Sequence, residues 1–288
     1  MSLIQQKILG ISITAASEEK ILEHLEKYLS SAFATTKRTV KNTVKPLIIV
    51  TPNPEQIVLA THDKWFERFI NRADITLPDG IGVIMAAKIL NLGKRGERSA
   101  GIRKRIAGID FMRSLVSLAA KQRVRIGLIG GFNGLAVKAL ECLTYEHPKL
   151  TGWAIGGPEL LYRENGIVEG PDASYWSRIA EKIIESKTSV VFVGLGAPKQ
   201  EYAIEKITTA LTQKHVAFPV VCMAVGGSFT MIADKLHRAP LFIRSIGFEW
   251  FWRLLQEPWR WKRQIALIRF IWLVCEARIV AVVPTRRK

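Results

Sequence analysis

Three apolar runs that stop at glycines constrain the fold of this chain most strongly. They are "VRIGLIGG" (124–131), "SVVFVGLG" (189–196) and "PVVCMAVGG" (219–227). Nearly continuous Val/Ile-rich runs are typical of strands that helices cover on both faces. Helical periodicity lies between them, as in "SYWSRIAEKIIES" (174–186). The alternation predicts an α/β fold with a doubly wound, mainly parallel, Rossmann-like sheet.

Two earlier strands are predicted to end in polar residues. "LIIVT" (47–51) leads to Thr51 and Asn53, and "ADITLP" (73–78) leads to Asp79. The carboxyl ends of parallel strands meet at one edge of a sheet, where ligands bind. Pro-Asp-Gly is also ordinary turn chemistry, so this segment alone favours a turn over a working carboxylate at Asp79.

The glycine-ended strands indicate an anionic ligand, because glycine admits close backbone approach and the following helix N-terminus favours negative charge. A nucleotide or diphosphate would fit such turns. No strict G-x-G-x-x-G pattern follows a strand and no phosphate-binding P-loop motif occurs, which disfavours a nicotinamide enzyme and a P-loop NTPase. Neither the three cysteines nor the five histidines have the spacing of a zinc site.

Charge also points to an anionic partner, because the formal net charge of the 288 residues is +17. The N-terminus has no pattern of a signal peptide, so a cytoplasmic location is expected. One basic cluster lies between residues 93 and 108 and reads either as a solvated loop or as a flap that delivers guanidinium groups to a phosphorylated ligand. Its cations are Lys94, Arg95, Arg98, Arg103, Lys104 and Arg105.

The composition changes near residue 240, which predicts a core over 1–240 and an appendage over 241–288. From residue 238 onward there are eleven Lys/Arg against three Glu, and five of the eight Trp. This mixture suits a membrane interface, a nucleic acid, or a packed pair of amphipathic helices. The segment 264–283 is nearly apolar, but Arg269, Glu276 and Arg278 would be costly inside a bilayer. We therefore expect a helix at the membrane surface or docked on the domain with one face towards lipid.

Seven motifs occur together, and they carry a family resemblance over residues 47–270. They are "TPNPEQIV", "LPDGIGV", "RIAGID", "VGLGAPKQE", "VGGSF", "RAP" and "GFEWFWRLLQEPWRWKRQ". With them the chain resembles the WecG/TagA/CpsF glycosyltransferases, glycosyltransferase family 26. The resemblance implies an inverting, metal-independent transferase with no cofactor, peripheral on the inner face of a bacterial cell membrane. Its partners would be a UDP-sugar donor, an acceptor sugar on polyprenyl diphosphate, and the anionic membrane surface.

The same resemblance implies roles for individual residues. Asp79 would be the general base, with Thr51 and Asn53 orienting the sugars, so the carboxylate is favoured over the plain turn. Substrate contacts are expected by this resemblance at Arg105, Gly108, Asp110, Gly194, Gly196, Lys199, Gln200, Glu201, Gly226, Gly227 and Phe229. The glycine-ended strand before residue 132 adds Gly130 and Gly131. Acceptor and membrane contacts are expected by the resemblance at Arg238, Arg253 and Arg260, and the basic, Trp-rich composition of the tail adds Arg244 and Trp259.

Some choices stay open at the level of sequence. The transferred sugar could be N-acetylmannosamine or a hexose such as glucose, in cell-surface polysaccharide synthesis. Ile109 and Thr230 depart from the family's usual residues, which leaves the contacts to the donor unsettled. A homo-oligomer is one option. The alternative function is a nucleic-acid-binding α/β protein that uses its basic tail; the transferase interpretation needs no nucleic acid.

Overall fold

The computed structural model describes most of the chain. The described residues are 3–31, 43–92, 101–163, 168–233, 239–240, 242–243, 248–258 and 261–282. Only the backbone is described for residues 168, 253, 262–264, 281 and 282.

Strands and helices alternate along most of the described chain, as the sequence predicts. The strands are β1 (Gln5–Ile8), β2 (Ile11–Thr14), β3 (Leu47–Val50), β4 (Ile75–Thr76), β5 (Arg125–Gly130), β6 (Gly152–Ile155), β7 (Leu161–Tyr162), β8 (Val168–Glu169), β9 (Thr188–Gly194) and β10 (Val221–Ala224). The helices are α1 (Glu18–Ser30), α2 (Pro54–His62), α3 (Lys64–Arg72), α4 (Ile81–Asn91), α5 (Gly108–Gln122), α6 (Leu135–Glu146), α7 (Ala173–Glu185), α8 (Lys199–Gln213), α9 (Ser228–Ile232), α10 (Glu249–Gln256) and α11 (Trp261–Val282).

A six-stranded sheet forms the centre of the fold, in the order β4-β3-β10-β9-β5-β6. Every pairing within it is parallel, which confirms the predicted fold class. Side chains of β9 alternate between two apolar layers, with Val191 and Val193 in one and Val190 and Phe192 in the other. Burial on both faces is the reason that these strands read as continuous apolar runs.

The connections of the sheet diverge between β5 and β9, which predicts a ligand-binding crevice there. These two strands are neighbours, but the chain leaves β5 towards β6 on one side and β9 towards β10 on the other. In doubly wound sheets, ligands bind where the connections diverge in this way, beyond the carboxyl ends of the strands. The glycine turns after β5 and β9 flank this point.

Local sequence signals explain where several helices begin. Ser17 caps α1, and Asn53 forms a reciprocal capping box with Gln56 at the start of α2, with Pro54 in the first turn. The periodicity considered above does not identify α3, nor α5, which directly follows the basic cluster. The β1–β2 hairpin turns at Leu9 and Gly10, both with positive φ, where Gly10 is the usual turn residue.

The C-terminal helix α11 is docked on the domain, against α2 and α4. Phe270 and Val274 are buried in one layer of the core. A Cβ on Gly82 of α4 would lie 2.8 Å from the Pro54 ring and 3.6 Å from Leu267 Cδ1, so glycine allows this close approach. The division at residue 240 stays a prediction from composition.

The opposite face of α11 carries large apolar side chains that point to solvent, including Ile268, Trp272 and Ile279. Arg269 and Glu276, seven residues apart, are both exposed at one edge of this face. Among the described residues, no helix combines the length and apolarity needed to cross a membrane.

Candidate active site

Asp79 lies at the carboxyl edge of the sheet, directly after the segment that extends β4. The turn itself is made by Gly80, which has φ +100° and precedes α4 without a side-chain cap. Asp79 Oδ2 instead accepts a hydrogen bond from the backbone N–H of Gly108, at 3.3 Å. Gly108 begins α5, and the positive end of a helix stabilises a nearby carboxylate. The carboxyl group of Asp79 therefore makes a contact across the fold, to the start of α5.

Arg105 is the cation beside this carboxylate. Its Nε lies 3.7 Å from Asp79 Oδ1, and its Nη2 donates to Glu249 Oε2 at 2.5 Å. The three side chains keep only 23% (Arg105), 29% (Asp79) and 11% (Glu249) of their surface exposed. Burial works against the charged form of Arg105, but the nearby carboxylates of Asp79, Glu249 and Asp110 outweigh it and raise the pKa of the guanidinium. Arg105 is thus a firmly charged group at the site.

Thr51 and Asn53 follow β3, the strand next to β4. A Cβ on Gly108 would lie 3.3 Å from Thr51 Oγ1 and Cγ2, so glycine lets the start of α5 approach the end of β3. Asn53 Oδ1 accepts from the Gln56 N–H at 3.0 Å, which is the capping bond of α2. Its Nδ2 donor takes no part in that cap. Thr51 and Asp79 therefore both lie at the start of α5, next to Gly108.

The glycine turns pack against one another on the three neighbouring strands β5, β9 and β10. Gly131 N–H donates to the Gly194 carbonyl at 3.1 Å, and a Cβ on Gly130 would lie 2.5 Å from that same oxygen. A Cβ on Gly194 would lie 2.7 Å from the ring of Phe229. These positions need glycine for lack of space. Gly130 and Gly194 are themselves buried, whereas Gly131 is half-buried.

The buried side chains of Gln200 and Glu201, at the start of α8, link the turn after β9 to the turn after β10. Gln200 Oε1 accepts from the Gly226 N–H at 2.8 Å, and Gln200 Nε2 donates to Glu201 Oε1 at 2.9 Å. Burial raises the pKa of Glu201 to about 7, against the opposing effect of the hydrogen bond from Gln200. Both side chains are buried, as is Phe229. The three residues predicted to touch substrate thus occupy supporting positions, and direct contact stays a prediction.

The remaining predicted residues are placed as follows. Lys199 is the first residue of α8 and half-buried, and Asp110 lies in the first turn of α5. Gly196, with φ +75°, shapes the turn before α8, while Gly227 is exposed beside Gly226. Arg103 and Lys104 are exposed, in contrast to Arg105.

Part of the predicted set lies outside the described residues. These are Lys94, Arg95, Arg98, Arg238, Arg244, Trp259 and Arg260. Arg253 belongs to α10, with only its backbone described. No group of three or more His, Cys, Asp or Glu side chains arranged to hold a metal occurs among the described residues.

Glu249 is the site residue that sequence reasoning missed. It is one of three acids in a strongly basic tail and stands inside the "GFEWFWRLLQEPWRWKRQ" motif. Its side chain is buried against Arg105, about 140 positions earlier in the chain. An isolated acid among many cations was the available signal, but it does not identify the partner.

The edge of the sheet therefore has two chemically different parts. Beyond β4 and β3, a carboxylate sits between a helix N-terminus and a guanidinium, where it can accept a proton from a hydroxyl group. Beyond β10, β9 and β5, close-packed glycine turns surround the start of α8, where the positive end of the helix favours an anion. Such an arrangement suits group transfer from a phosphorylated donor to an alcohol.

Comparison with known proteins agrees with this chemistry. The family model described as "Glycosyl transferase WecG/TagA/CpsF family" matches residues 6–282. An N-acetylglucosaminyldiphosphoundecaprenol N-acetyl-beta-D-mannosaminyltransferase of Bacillus spizizenii is 30% identical over 250 residues, 87% of either chain. Proteins of the same name from Bacillus subtilis (29% identity, 77% of either chain) and Staphylococcus aureus (26%, 89% of this chain and 85% of the relative) are also similar. The chain belongs to the WecG/TagA/CpsF family of glycosyltransferases.

Proposed function

We propose that this glycosyltransferase moves a sugar from UDP onto a sugar carried by polyprenyl diphosphate, with inversion and without a metal ion. The names of its relatives favour N-acetylmannosamine as the transferred sugar and N-acetylglucosamine as the acceptor. The observation that carries the proposal is the position of Asp79. It stands at the same carboxyl edge of the sheet as the glycine turns and contacts the Gly108 N–H and Arg105.

The proposed reaction is a single displacement. Asp79 takes the proton of the acceptor hydroxyl while that oxygen bonds to the anomeric carbon. The bond between this carbon and the diphosphate oxygen breaks on the opposite face, and UDP leaves with the electron pair. One bond forms and one breaks at the same carbon, so its configuration inverts.

The leaving UDP gains negative charge, which the protein has to stabilise. The backbone of the glycine turns, the N-terminus of α8 and the ammonium group of Lys199 are the groups we assign to this role. Thr51 and the Nδ2 of Asn53 are proposed to orient the two sugars near Asp79. Gln200 and Glu201 would support the donor loops from behind.

The acceptor carries a long lipid, so the enzyme has to work beside a membrane. Trp250 and Phe251 of α10 and Trp272 of α11 present exposed aromatic rings, together with the apolar face of α11. Such a surface is suited to the interfacial layer of a bilayer. We propose that these helices hold the enzyme on the inner face of the cell membrane. The described side chains on the exposed faces of α10 and α11 are largely apolar, which favours lipid over nucleic acid as the partner.

Transfer assays test the proposal. Purified protein is incubated with UDP-N-acetylmannosamine, UDP-N-acetylglucosamine or UDP-glucose, a short-chain lipid diphosphate carrying N-acetylglucosamine, and either EDTA or Mg²⁺. We expect product with UDP-N-acetylmannosamine at equal rates in EDTA and Mg²⁺. Absence of product with every donor would refute the proposed substrates, and a need for Mg²⁺ would refute metal independence.

A further inference from the structure

Two carboxylates share the guanidinium of Arg105, and they come from distant parts of the chain. Asp79 follows β4, whereas Glu249 is the first residue of α10. All three side chains are at least two-thirds buried, so solvent screens their charges weakly. The third carboxylate that acts on this guanidinium is Asp110, in the first turn of α5.

The two contacts of Arg105 differ in kind. The contact with Glu249 is a direct charge-assisted hydrogen bond, with 2.5 Å between Nη2 and Oε2. The contact with Asp79 is an ion pair at 3.7 Å, beyond hydrogen-bond distance. The buried Nε that faces Asp79 has no hydrogen-bond partner among the described residues. Among the described residues, Glu249 accepts the hydrogen bond that orients the guanidinium.

This geometry has a consequence for the proposed base. A guanidinium without Glu249 could turn its planar fork towards Asp79 and close a bidentate pair. Its positive charge would also no longer be shared with the second carboxylate. Both changes stabilise the ionised form of Asp79, lower its pKa and make it a weaker acceptor of a proton.

We propose that Glu249 is a positioning residue that holds Arg105 away from a bidentate pair with Asp79. The proposal rests on the proposed function, in which Asp79 is the general base. It also assigns a purpose to the start of α10, since Trp250 and Phe251 beside Glu249 are exposed on the surface suited to lipid. The element that meets the membrane would then also set the electrostatics of the base.

Glu249→Gln tests this role, because it removes the charge while keeping the shape. With UDP-N-acetylmannosamine and the short-chain acceptor, we expect kcat to fall about three- to tenfold while the donor KM stays within about twofold. The acidic limb of the pH–rate profile should move down by about one pH unit. Glu249→Asp, which keeps the charge, should recover part of the rate. Glu185→Gln, on the exposed surface of α7, is the control and should match wild type.

A double mutant shows whether Glu249 acts through Arg105. Adding Glu249→Gln to Arg105→Lys should cost little beyond Arg105→Lys alone, because the positioned group is already gone. An additive loss would overturn the proposal, as would a Glu249→Gln enzyme with an unchanged rate and pH profile. Thermal unfolding identifies a variant that has merely lost its fold.

A readout without turnover separates this inference from the proposed function. The chain has six Asp residues, so ¹³C-carboxyl labelling with an Asp79→Asn reference spectrum identifies the Asp79 signal. We expect the pKa of Asp79 to be lower in Glu249→Gln than in wild type. If wild type makes no product but this difference appears, the proposed function fails and the positioning stands. If product forms but the pKa of Asp79 is the same in both proteins, the positioning fails.

Discussion

Asp79→Asn is the substitution that tests the proposed base most sharply. The amide has the same shape but cannot take the proton of the acceptor hydroxyl, so we expect kcat to fall about 10²- to 10⁴-fold. Binding of UDP should stay within about twofold, because the glycine turns follow β5, β9 and β10. The strand β3 separates these turns from β4, which carries Asp79.

The structure also sets the expected change in stability. At 3.7 Å and an effective dielectric constant of about 20, the attraction between Asp79 and Arg105 is about 4–5 kcal/mol before desolvation is subtracted. Desolvation offsets most of this for partly buried pairs. The new amide can still accept from the Gly108 N–H, and Arg105 keeps Glu249 as a partner. We expect a net loss of about 1 kcal/mol, which corresponds to a Tm change of about 2–4 °C.

Asp74→Asn provides a closely matched control. Asp74 precedes β4, pairs with Lys45 at 3.1 Å, accepts from the Ile48 N–H at 2.9 Å and is exposed to 30%. It therefore has the same kinds of partner as Asp79, with 29% exposure, but stands at the amino end of the strand. Turnover, calorimetric binding of UDP and thermal unfolding are measured for both variants. A folded Asp79→Asn enzyme with kcat near that of Asp74→Asn would refute the role of base, and an unfolded one would support the turn interpretation.

Three further predictions concern stability and membrane binding. Since burial raises the pKa of Glu201 from 4.5 to about 7, the folded state favours its protonated form, and this group destabilises the fold as pH rises from about 5 to 7. In urea unfolding, the free energy of unfolding of Glu201→Gln relative to wild type should therefore increase between pH 5 and pH 8, by up to about 3 kcal/mol. A difference that does not change with pH would contradict this. Phe270→Ala removes a buried ring under α11 and should cost about 3–5 kcal/mol in the same assay, whereas a loss under about 1 kcal/mol would contradict the observed docking. Trp272→Glu should weaken sedimentation with anionic liposomes at least about tenfold, and Tyr145→Glu, on α6 and even more exposed, should not; equal effects would refute the lipid-facing surface.

The sheet and its functional edge were predictable because the signals are local. Continuous apolar strands such as 189–194 are dictated by burial on both faces, and glycines at their ends by close packing between turns. The predicted turn around Asp79 and the predicted end of β3 at Thr51 meet at that edge for the same reason. Parallel strands bring their carboxyl ends together whatever their order.

The pairing of Glu249 with Arg105 was not predictable, because it depends on where α10 folds back. No periodicity or spacing links two residues that far apart in the chain. The sequence also does not show that the side chains of Gln200 and Glu201 point into the protein, because this too depends on tertiary packing. Polar residues at the start of a helix are easily interpreted as ligand contacts. The packing of α8 shows instead that Gln200 bonds to the Gly226 N–H and to Glu201.

The anomeric configuration of the product tests the central claim most directly. The donor is UDP-N-acetylmannosamine with its sugar α-linked to UDP, the acceptor is the short-chain N-acetylglucosamine lipid diphosphate, and the reaction contains EDTA. Proton and carbon couplings at the new linkage are read by NMR. A single displacement driven by Asp79 predicts a β-linked disaccharide formed in EDTA. An α-linked product, or none until a divalent metal is added, would contradict the metal-free inverting reaction.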